Sequence, residues 1–540
     1  MSLLSFPDWT VIGIYFFAVF AVALWMTRAE TGTRDTSAGY FLAGRNTGWF
    51  VIGASLFASN IGSEHLVGLA GTGADSGVAV AQFEILASLI LLLLGWVFVP
   101  FYIKSGVYTM PEFLERRYSK AARWYLAVIS IIGYVLTKIS VTIAAGGIVF
   151  EALMGINFWT GALIVVIATG IYTVIGGLRA VLYTDMIQMF VLVGGSVAVT
   201  VIGLVHLGGW QQMEQIAGSS FMTLWKPATD PDFPWTGIIF GAPILGVWYW
   251  CTDQFIVQRV LSANNISTAK RGTIFGGFLK ILPLFIFVIP GVIAYGLSQQ
   301  GVISMDHPDQ ALPTLIGQLL PVGVRGLVVA GLLAALMSSL SSVFNSCSTL
   351  VTWDIFRELR PESSERTLVL VGQLTTVVLV GLGLAWIPLM ELISGQLYKY
   401  LQSVQAYIAP PIAAVFLIGV AWKRVNAKGA IVSLIAGFLL GMGRLLAELY
   451  KNSLGDGFLY SYATINFLHF AFLLFVFCSL VLVVVSLVSS HLPVEQIKGL
   501  TFQTVDVSEV REKDAMRRTN IILTIILIAA VAAVWLYFTG

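Results

Sequence analysis

The stretch Phe57–Gly73 reads FASNIGSEHLVGLAGTG. It lies in an apolar segment long enough to cross a bilayer, yet it places Asn60, Glu64 and His65 among several glycines. Glycine weakens a helix by about 1 kcal/mol relative to alanine, and a carboxylate at the bilayer centre costs about 2.5–3.5 kcal/mol or more. Backbone without helical hydrogen bonds is tolerated in a membrane only where protein or a water-filled cavity covers it. We therefore predict a broken helix that lines a polar cavity, as in transporters; the alternative is close packing of two glycine-rich helices.

The composition indicates a polytopic membrane protein. The chain has 540 residues, of which 57% are hydrophobic and 11% charged, and a soluble protein could not bury so much apolar surface. Its three cysteines, Cys251, Cys347 and Cys478, lie in apolar segments, which argues against a disulfide framework or a zinc cluster. The first apolar segment lacks a charged region and a cleavage site before it, so we expect a retained helix. Without a lysine-containing phosphate loop, an ATP-driven pump is not expected, and neither is a nucleic-acid partner.

Fourteen apolar segments of roughly membrane-spanning length recur along the chain. They cover residues 9–27, 47–74, 78–103, 122–150, 156–178, 182–207, 235–260, 271–297, 311–356, 365–390, 393–421, 425–448, 459–490 and 519–538. Segment 311–356 is too long for one straight crossing and should include an external loop or a half-helix. Lys and Arg concentrate in alternate loops, including Arg259 after the seventh span. This bias predicts that those loops are cytoplasmic and that both termini face outside. We expect 208–234 to be a short irregular external cover and 491–518 a cytoplasmic linker.

Ionisable side chains inside predicted spans are functional candidates by default. They are Glu64, His65, Glu84, Lys138, Asp185, Asp253, Lys280, Lys399 and Arg444. Lys399 and Arg444 fall near predicted helix ends, where long side chains can reach the interface. Lys138 and Asp185 have a plausible structural role in salt bridges. Lys280 is flanked by apolar residues, so it should pair with Glu84, Asp253 or a ligand hydroxyl.

A second interruption is predicted at Trp248–Gln254, WYWCTDQ, which follows Pro243 and Gly246. Rigid aromatic faces beside hydrogen-bonding groups suit a sugar, whose C–H face stacks while its hydroxyls bond to polar side chains. An aromatic belt at the membrane interface is the alternative.

The run Gly331–Ser348, GLLAALMSSLSSVFNSCS, carries several serines at helical spacing. Ala335, Ser338, Ser339, Ser341 and Ser342 include separations of three and four, so several share one face of a helix. Hydroxyl and carbonyl oxygens without a carboxylate cage suit weakly bound Na⁺. Serines also bond back to their own helix, and small residues pack helices closely. Unwound carbonyls opposite such a helix would favour the ion site.

The chain resembles the sodium/solute symporter family, and most of all its sodium/glucose cotransporter branch, from about residue 8 to 450. The motifs that carry this resemblance are ASLFASNIGSEHLVGLAGTG, TKIS, GGLRAVLYTDMIQ, WYWCTDQFIVQRVLSA, LMSSLSSVFNSCSTLVTWDIF and GQLYKYLQSVQAYIAPPIAAVFLIGVAWKRVN. The resemblance implies an all-α, LeuT-type fold with two inverted five-helix repeats, at residues 47–207 and 235–421. The segment 9–27 would then be an extra N-terminal helix, and 425–540 would hold peripheral helices.

The same resemblance implies specific sites. A Na⁺ site would use the carbonyls of Ala58, Ile61 and Ala335 and the hydroxyls of Ser338 and Ser339. Sugar contacts would come from Asn60, His65, Glu84, Lys280 and Gln402, with Tyr249 stacking from the cytoplasmic side beside Trp250. Leu69, Phe83 and Tyr398 match outer-gate positions, and Tyr249 would move aside for release. A second Na⁺ would use Asp185, Ser341 and Ser342.

These features predict Na⁺-coupled symport of a monosaccharide such as glucose or galactose, with Na⁺ as the co-transported ion. The GSEH at 62–65 resembles the myo-inositol members, and Gly246 lacks a side chain where some members contact sugar. Symport of another small solute, such as an amino acid, sialic acid or iodide, stays open. A sugar-gated channel or sensor is the alternative from another class; an enzyme is least expected. The missing extracellular cysteine pattern favours a bacterial inner-membrane protein in contact with lipid.

Overall fold

The computed structural model describes residues 4–28, 41–390, 397–490, 493, 495–504 and 514–540. Within these ranges the regular secondary structure is helical, with a few isolated backbone bridges such as that between Thr47 and Ala263. Helices dominate because a membrane-spanning segment must satisfy its backbone polar groups internally.

The helices follow the predicted spans closely. The first half comprises α1 (Phe6–Arg28), α2 (Trp49–Asn60), α3 (Ser63–Ser76), α4 (Gln82–Leu93), α5 (Val99–Ser105), α6 (Met110–Arg117), α7 (Lys120–Tyr134), α8 (Ser140–Val149), α9 (Phe158–Leu207) and α10 (Trp210–Ala217). The middle comprises α11 (Trp235–Phe240), α12 (Ala242–Gly246), α13 (Gln254–Leu261), α14 (Ile266–Leu279), α15 (Ile289–Gln299), α16 (Ala311–Leu319), α17 (Val324–Leu350) and α18 (Arg357–Leu359). The remainder comprises α19 (Glu365–Met390), α20 (Leu397–Ala421), α21 (Ala427–Leu449), α22 (Phe458–Thr464), α23 (Phe467–Leu487) and α24 (Asp514–Tyr537).

The fourteen predicted spans each have a helical counterpart. Among the described residues, ten helical runs are long and apolar enough to cross a membrane. Shorter apolar helices cover Phe6–Val22 and Phe158–Ile171. The predicted spans 47–74 and 235–260 correspond to two helices that are broken midway, at α2–α3 and at α11–α13. The predicted half-helix in segment 311–356 is α16, which precedes the long helix α17.

Two expectations about the loops were wrong. The spans predicted at 156–178 and 182–207 lie in one run of helical backbone, α9, of 50 residues. A straight helix of that length would measure about 75 Å, well over the bilayer's roughly 30 Å core, so two crossings require a bend. The external segment 208–234 is not wholly irregular, because it contains the short helix α10.

Glycines let the outer half of the first broken helix approach its neighbours. A Cβ on Gly73 would lie 2.5 Å from the carbonyl oxygen of Val288, and one on Gly291 would lie 2.0 Å from that of Ala70. A Cβ on Gly71 would meet Asp309, in the short helical turn Pro308–Gln310. Close packing, the alternative interpretation of the glycine-rich stretch, therefore explains Gly71 and Gly73, while the break itself lies further inward.

Two cations lie deeper than expected. Arg259 belongs to α13 and not to a cytoplasmic loop, and its side chain is fully buried. Arg444 does not reach the interface: it is 2% exposed and packs over the rings of Tyr407 and Phe470. The periodic apolar pattern sets helix positions along the chain, but the depth of an arginine depends on which neighbours cover it.

Candidate functional site

The first helix breaks at Ile61 and Gly62, between α2 and α3. The amide of Gly62 donates to the carbonyl of Asn60 at 3.0 Å, and the amide of His65 donates to the carbonyl of Gly62 at 3.1 Å. In a regular helix these two amides would donate to the carbonyls of Ala58 and Ile61. The break thus takes those donors away from two buried carbonyls, and it confirms the predicted interruption.

A chain of polar contacts joins this break to neighbouring helices. Lys280, at the end of α14, donates to the Asn60 amide oxygen and to the Glu84 carboxylate. Asn60 in turn donates through Nδ2 to the Tyr249 hydroxyl at 2.9 Å. His65 Nε2 lies 3.6 Å from Glu84 Oε1. Of the partners expected for Lys280, the structure selects Glu84, and the fully buried ammonium is compensated by a carboxylate and an amide oxygen.

These residues border a cavity with an empty volume of about 580 Å³, including space open to solvent. Its lining comprises Asn60, His65, Phe83, Glu84, Leu86, Ile90, Lys138, Ala242, Leu245, Gly246, Tyr249, Trp250, Leu401, Gln402 and Gln405. Small-molecule sites are typically clefts lined by apolar and aromatic side chains with a few convergent polar groups. Six of the seven predicted sugar contacts line this cavity, and the seventh, Lys280, lies behind Asn60 and Glu84.

The second break brings aromatic rings to the same cavity. After α12 the backbone widens into a π-helical turn, Val247–Thr252, and it leaves helical geometry at Asp253. The Asp253 carboxylate then caps α13 by accepting the Phe255 amide at 3.1 Å. Trp250 lies under the Lys280 ammonium, 5.2 Å from Nζ to the ring centroid. The tyrosine and tryptophan therefore form an inner wall, which is a different place from an interfacial belt.

The serine-rich helix α17 reaches the first break from the opposite side. Ser339 donates to the Ser59 carbonyl at 3.2 Å. Ser338 donates to Asp185 Oδ1 at 2.5 Å. Because Ser59 lies beside Ala58, the predicted hydroxyl ligands and the diverted carbonyls occur in one small region of the buried core.

A cluster beside it surrounds Asp185 and includes Arg259. Asp185 Oδ2 accepts from Ser55 at 2.6 Å and from Ser59 at 2.9 Å, and lies 3.9 Å from Arg259 Nη2. Arg259 also donates to Ser55, Ser59 and Ser342, whereas Ser341 donates to the carbonyl of Ser338 on its own helix. Sequence reasoning missed Arg259, although its position two turns after the second break was the available signal.

The remaining predicted residues are distributed as follows. Phe83 lines the cavity, while Leu69 is buried outside its lining. The side chains of Glu64, Tyr398 and Lys399 lie outside the part of the chain that the structure describes. Lys138, for which a salt bridge was plausible, lies over the rings of Tyr249 and Phe255. Gln405 was missed, although it follows Gln402 by three residues on the same helix.

Comparison with known proteins assigns the family. The sequence model of the sodium:solute symporter family matches residues 40–437. The chain belongs to this family. It is 41% identical to sodium/glucose cotransporter 1 of Oryctolagus cuniculus over 530 residues, which is 90% of this chain and 79% of the relative. It is 39% identical to the sodium/myo-inositol cotransporter of Canis lupus familiaris over 93% of this chain and 76% of the relative. This symporter is accordingly a multi-pass membrane transporter coupled to Na⁺ and not an enzyme.

Solved structures confirm the fold expected of the symporter. A Na⁺-coupled sialic acid symporter in a substrate-bound, outward-open state superimposes with a TM-score of 0.77 at 23% identity, covering 90% of this chain and 99% of that one. Mhp1, a nucleobase-cation-symport-1 family transporter, gives a TM-score of 0.53 at 15% identity, covering 82% and 94%. The architecture is therefore LeuT-type, as the sequence resemblance implied.

Proposed function

We propose that this symporter imports a neutral monosaccharide, such as glucose or galactose, together with Na⁺ by alternating access. The observation that carries the proposal is a series of hydrogen bonds, Glu84–Lys280–Asn60–Tyr249, on one side of the cavity. Trp250 and Gln402 also line this cavity. The carboxylate of Glu84 and the amides of Asn60 and Gln402 can bond to hydroxyls in several directions, while Lys280 positions Glu84 and Asn60 from behind. The aromatic faces can stack against the C–H face of a pyranose ring.

The ion would bind beside the sugar, at the first break. Its ligands would be the carbonyls of Ala58, Ile61 and Ala335 and the hydroxyls of Ser338 and Ser339. Support comes from the diverted helical donors and from the Ser339–Ser59 contact. Bound Na⁺ would hold α2 against α17 and favour the outward-open arrangement, and its loss to the cytoplasm would loosen the sugar site.

The proposal has a one-ion and a two-ion form. A second Na⁺ would use Asp185, Ser341 and Ser342. The Arg259 guanidinium lies between Asp185 and Ser342, and its positive charge opposes a second cation there. The one-ion form is therefore favoured, and it predicts a Hill coefficient near 1 for Na⁺ activation; a coefficient near 2 that falls to 1 in Asp185→Asn would support the two-ion form.

One ion supplies enough free energy for concentrative uptake. A single Na⁺ that crosses about 100 mV releases about 2.3 kcal/mol, and a tenfold concentration gradient adds about 1.4 kcal/mol. Their sum of about 3.7 kcal/mol would sustain a sugar gradient of several hundredfold.

The transport core would comprise two inverted repeats, 47–207 and 235–421, each of which begins with a broken helix. The helix at 9–27 and the region 425–540 would be peripheral. By the distribution of Lys and Arg, both termini would face the periplasm of a bacterial cell.

Myo-inositol is the second candidate substrate. A sodium/myo-inositol cotransporter is among the relatives that cover most of the chain. Gly246 lines the cavity without a side chain, and the space that a Cβ would take there is occupied by Ile90, which also lines the cavity. Both candidates are polyhydroxylated rings, and competition distinguishes them.

The test is uptake by the purified protein in vesicles. Labelled glucose, galactose and myo-inositol should be compared with Na⁺ and with choline outside, with an imposed negative-inside potential. Accumulation above the outside concentration only with Na⁺ supports symport, whereas equilibration without accumulation indicates a channel, and binding without flux indicates a sensor.

The variant Gln402→Ala provides a site-specific test. Loss of a hydrogen bond to the sugar should raise the half-saturating sugar concentration about fivefold, since such bonds contribute about 0.5–1.5 kcal/mol. Gln373→Ala, whose amide donates to the Val174 carbonyl on a neighbouring helix, is the matched control. Unaltered sugar affinity in Gln402→Ala would remove Gln402 from the site.

A further inference from the structure

Lys138 occupies a position that the proposed ion and sugar sites do not explain. It lies in a π-helical turn, Val135–Ile139, that interrupts the span formed by α7 and α8. The side chain is buried, at 5% exposure, and it borders the cavity. Single π-helical turns inside α-helices occur frequently at functional sites, where they shift a side chain out of the regular register.

The Lys138 ammonium contacts two aromatic rings, one on a residue before the second break and one on a residue after it. Nζ lies 3.9 Å from the centroid of the Tyr249 ring and 3.7 Å from that of Phe255. The two rings are 6.2 Å apart and tilted by 54°. Tyr249 precedes the break at Asp253 and Phe255 follows it. One cation thereby fixes the relative positions of the two segments that the break joins, because each ring face attracts it.

Tyr249 is also held at its other end. Its hydroxyl accepts the Asn60 amide at 2.9 Å, and Asn60 is itself bonded by Lys280. The ring is thus restrained by a hydrogen bond from the first broken helix and by a cation from α7–α8. A sugar that competes for Asn60 would weaken the first restraint and leave the second intact.

We propose that Lys138 is a positioning residue that holds the Tyr249 ring across the cytoplasmic side of the cavity, so that sugar is released inward only when the ammonium–ring contact opens. This inference rests on the proposed function of Tyr249 as the inner wall of a sugar site. Lys138 acts through the two rings and not as a sugar ligand. It therefore determines how tightly transport is coupled and has little influence on sugar affinity from outside.

The experiment compares Lys138→Met, Lys138→Arg and Lys270→Met in vesicles. Lys270 is a matched control, since it is also buried and its Nζ lies 4.5 Å from the centroid of the Trp96 ring. Lys138→Met should lower steady-state sugar accumulation at least fivefold and speed sugar efflux, while the half-saturating outside sugar changes less than threefold. Lys138→Arg, which preserves a cation over the rings, should retain most of the accumulation, and Lys270→Met should match the parent protein.

A second readout does not depend on transport. Cys251 is fully buried in the π-helical turn that carries Tyr249, and its thiol donates to the Ile90 carbonyl. With Cys347 and Cys478 replaced by alanine, a maleimide should modify Cys251 at least fivefold faster in Lys138→Met than in Lys138→Arg. Phe255→Leu, which removes one ring partner, should accelerate labelling in the same direction by a smaller factor. Monodisperse gel filtration establishes that each variant is folded.

Three results would overturn the inference. Lys138→Met could accumulate sugar as the parent does, or Cys251 could react at an unchanged rate. Alternatively, Lys138→Met could raise the half-saturating outside sugar concentration as much as Gln402→Ala does, without faster sugar efflux. That result would make Lys138 a sugar ligand. If the parent protein transports no sugar with Na⁺, the proposed function fails, and the labelling comparison still decides the role of Lys138.

Discussion

The two broken helices differ in the groups that each break makes available to a ligand. The first break is short, at Ile61 and Gly62, and it redirects backbone donors away from two carbonyls. The second is a π-helical turn rich in aromatic residues, and it ends at Asp253. Short interruptions with small residues present backbone oxygen, whereas a widened turn presents large side chains. We therefore expect the carbonyls of the first break to serve the ion and both breaks to supply sugar contacts, since Asn60 and His65 flank the first and Tyr249 and Trp250 belong to the second.

The helices that follow the breaks also begin differently. After the second break, Asp253 caps α13 with its own carboxylate. After the first, Gly62 has no side chain to offer, and its amide faces His65 Nδ1 at 3.4 Å. A carboxylate cap beside the ion ligands would add a fixed charge there. The carboxylate that does contact a proposed ion ligand is that of Asp185, which accepts from Ser338 at 2.5 Å and lies 3.9 Å from the Arg259 guanidinium.

Lys280→Met should have the largest effect, because Lys280 contacts both breaks. It donates to Asn60 at the first and lies over Trp250 at the second. Removing one partner of a buried ion pair costs about 3–5 kcal/mol, and here the Glu84 carboxylate would be left uncompensated. Initial uptake should fall at least a hundredfold, measured in vesicles at matched protein content.

Arg271→Met is the control for that variant. Arg271 lies on the same helix, and its guanidinium donates to Asn520 away from the cavity. Uptake in this control should stay within about twofold of the parent protein. Retention of more than a tenth of the activity in Lys280→Met would show that the two breaks work without this connection.

Ser339→Ala should separate the ion from the sugar. Loss of one hydroxyl ligand should raise the half-activating Na⁺ concentration about tenfold, equivalent to about 1.4 kcal/mol. Half-saturation by sugar at high Na⁺ should change less than twofold, because the hydroxyl lies against the first break. Thr349→Ala tests the same helix at a hydroxyl that bonds only back to the Asn345 carbonyl. An equal loss of sugar affinity in Ser339→Ala would contradict the division of roles.

Local chemistry made the breaks predictable, since Gly62 and the WYWCTDQ run oppose helix continuity in the apolar environment that surrounds them. It also restricted Lys280 to a few partners, because a buried ammonium needs an acceptor. Neither pattern could select Glu84 over Asp253, since that choice depends on how α4 and α14 pack. The same limit applies to Arg259 and Lys138: each was assigned from its nearest neighbours in sequence, while its partners lie on other helices. The opposite error separated the spans 156–178 and 182–207 at Arg179, where the structure has continuous helical backbone in α9.

The smallest expected effect concerns the cap of the second break. Asp253→Ala removes one of the two acceptors of the Phe255 amide, the other being the Tyr134 hydroxyl, and loss of an N-cap costs about 1 kcal/mol. The unfolding temperature of the detergent-solubilised protein, followed by tryptophan fluorescence, should fall by about 1 °C, while half-activation by Na⁺ stays within twofold. Asp253→Asn keeps a capping oxygen and should recover most of the loss. Equal destabilisation by alanine and asparagine would mean that the charge of Asp253, next to the Tyr134 hydroxyl that donates to it, stabilises the break, and the two breaks would then differ in electrostatics as well as in shape.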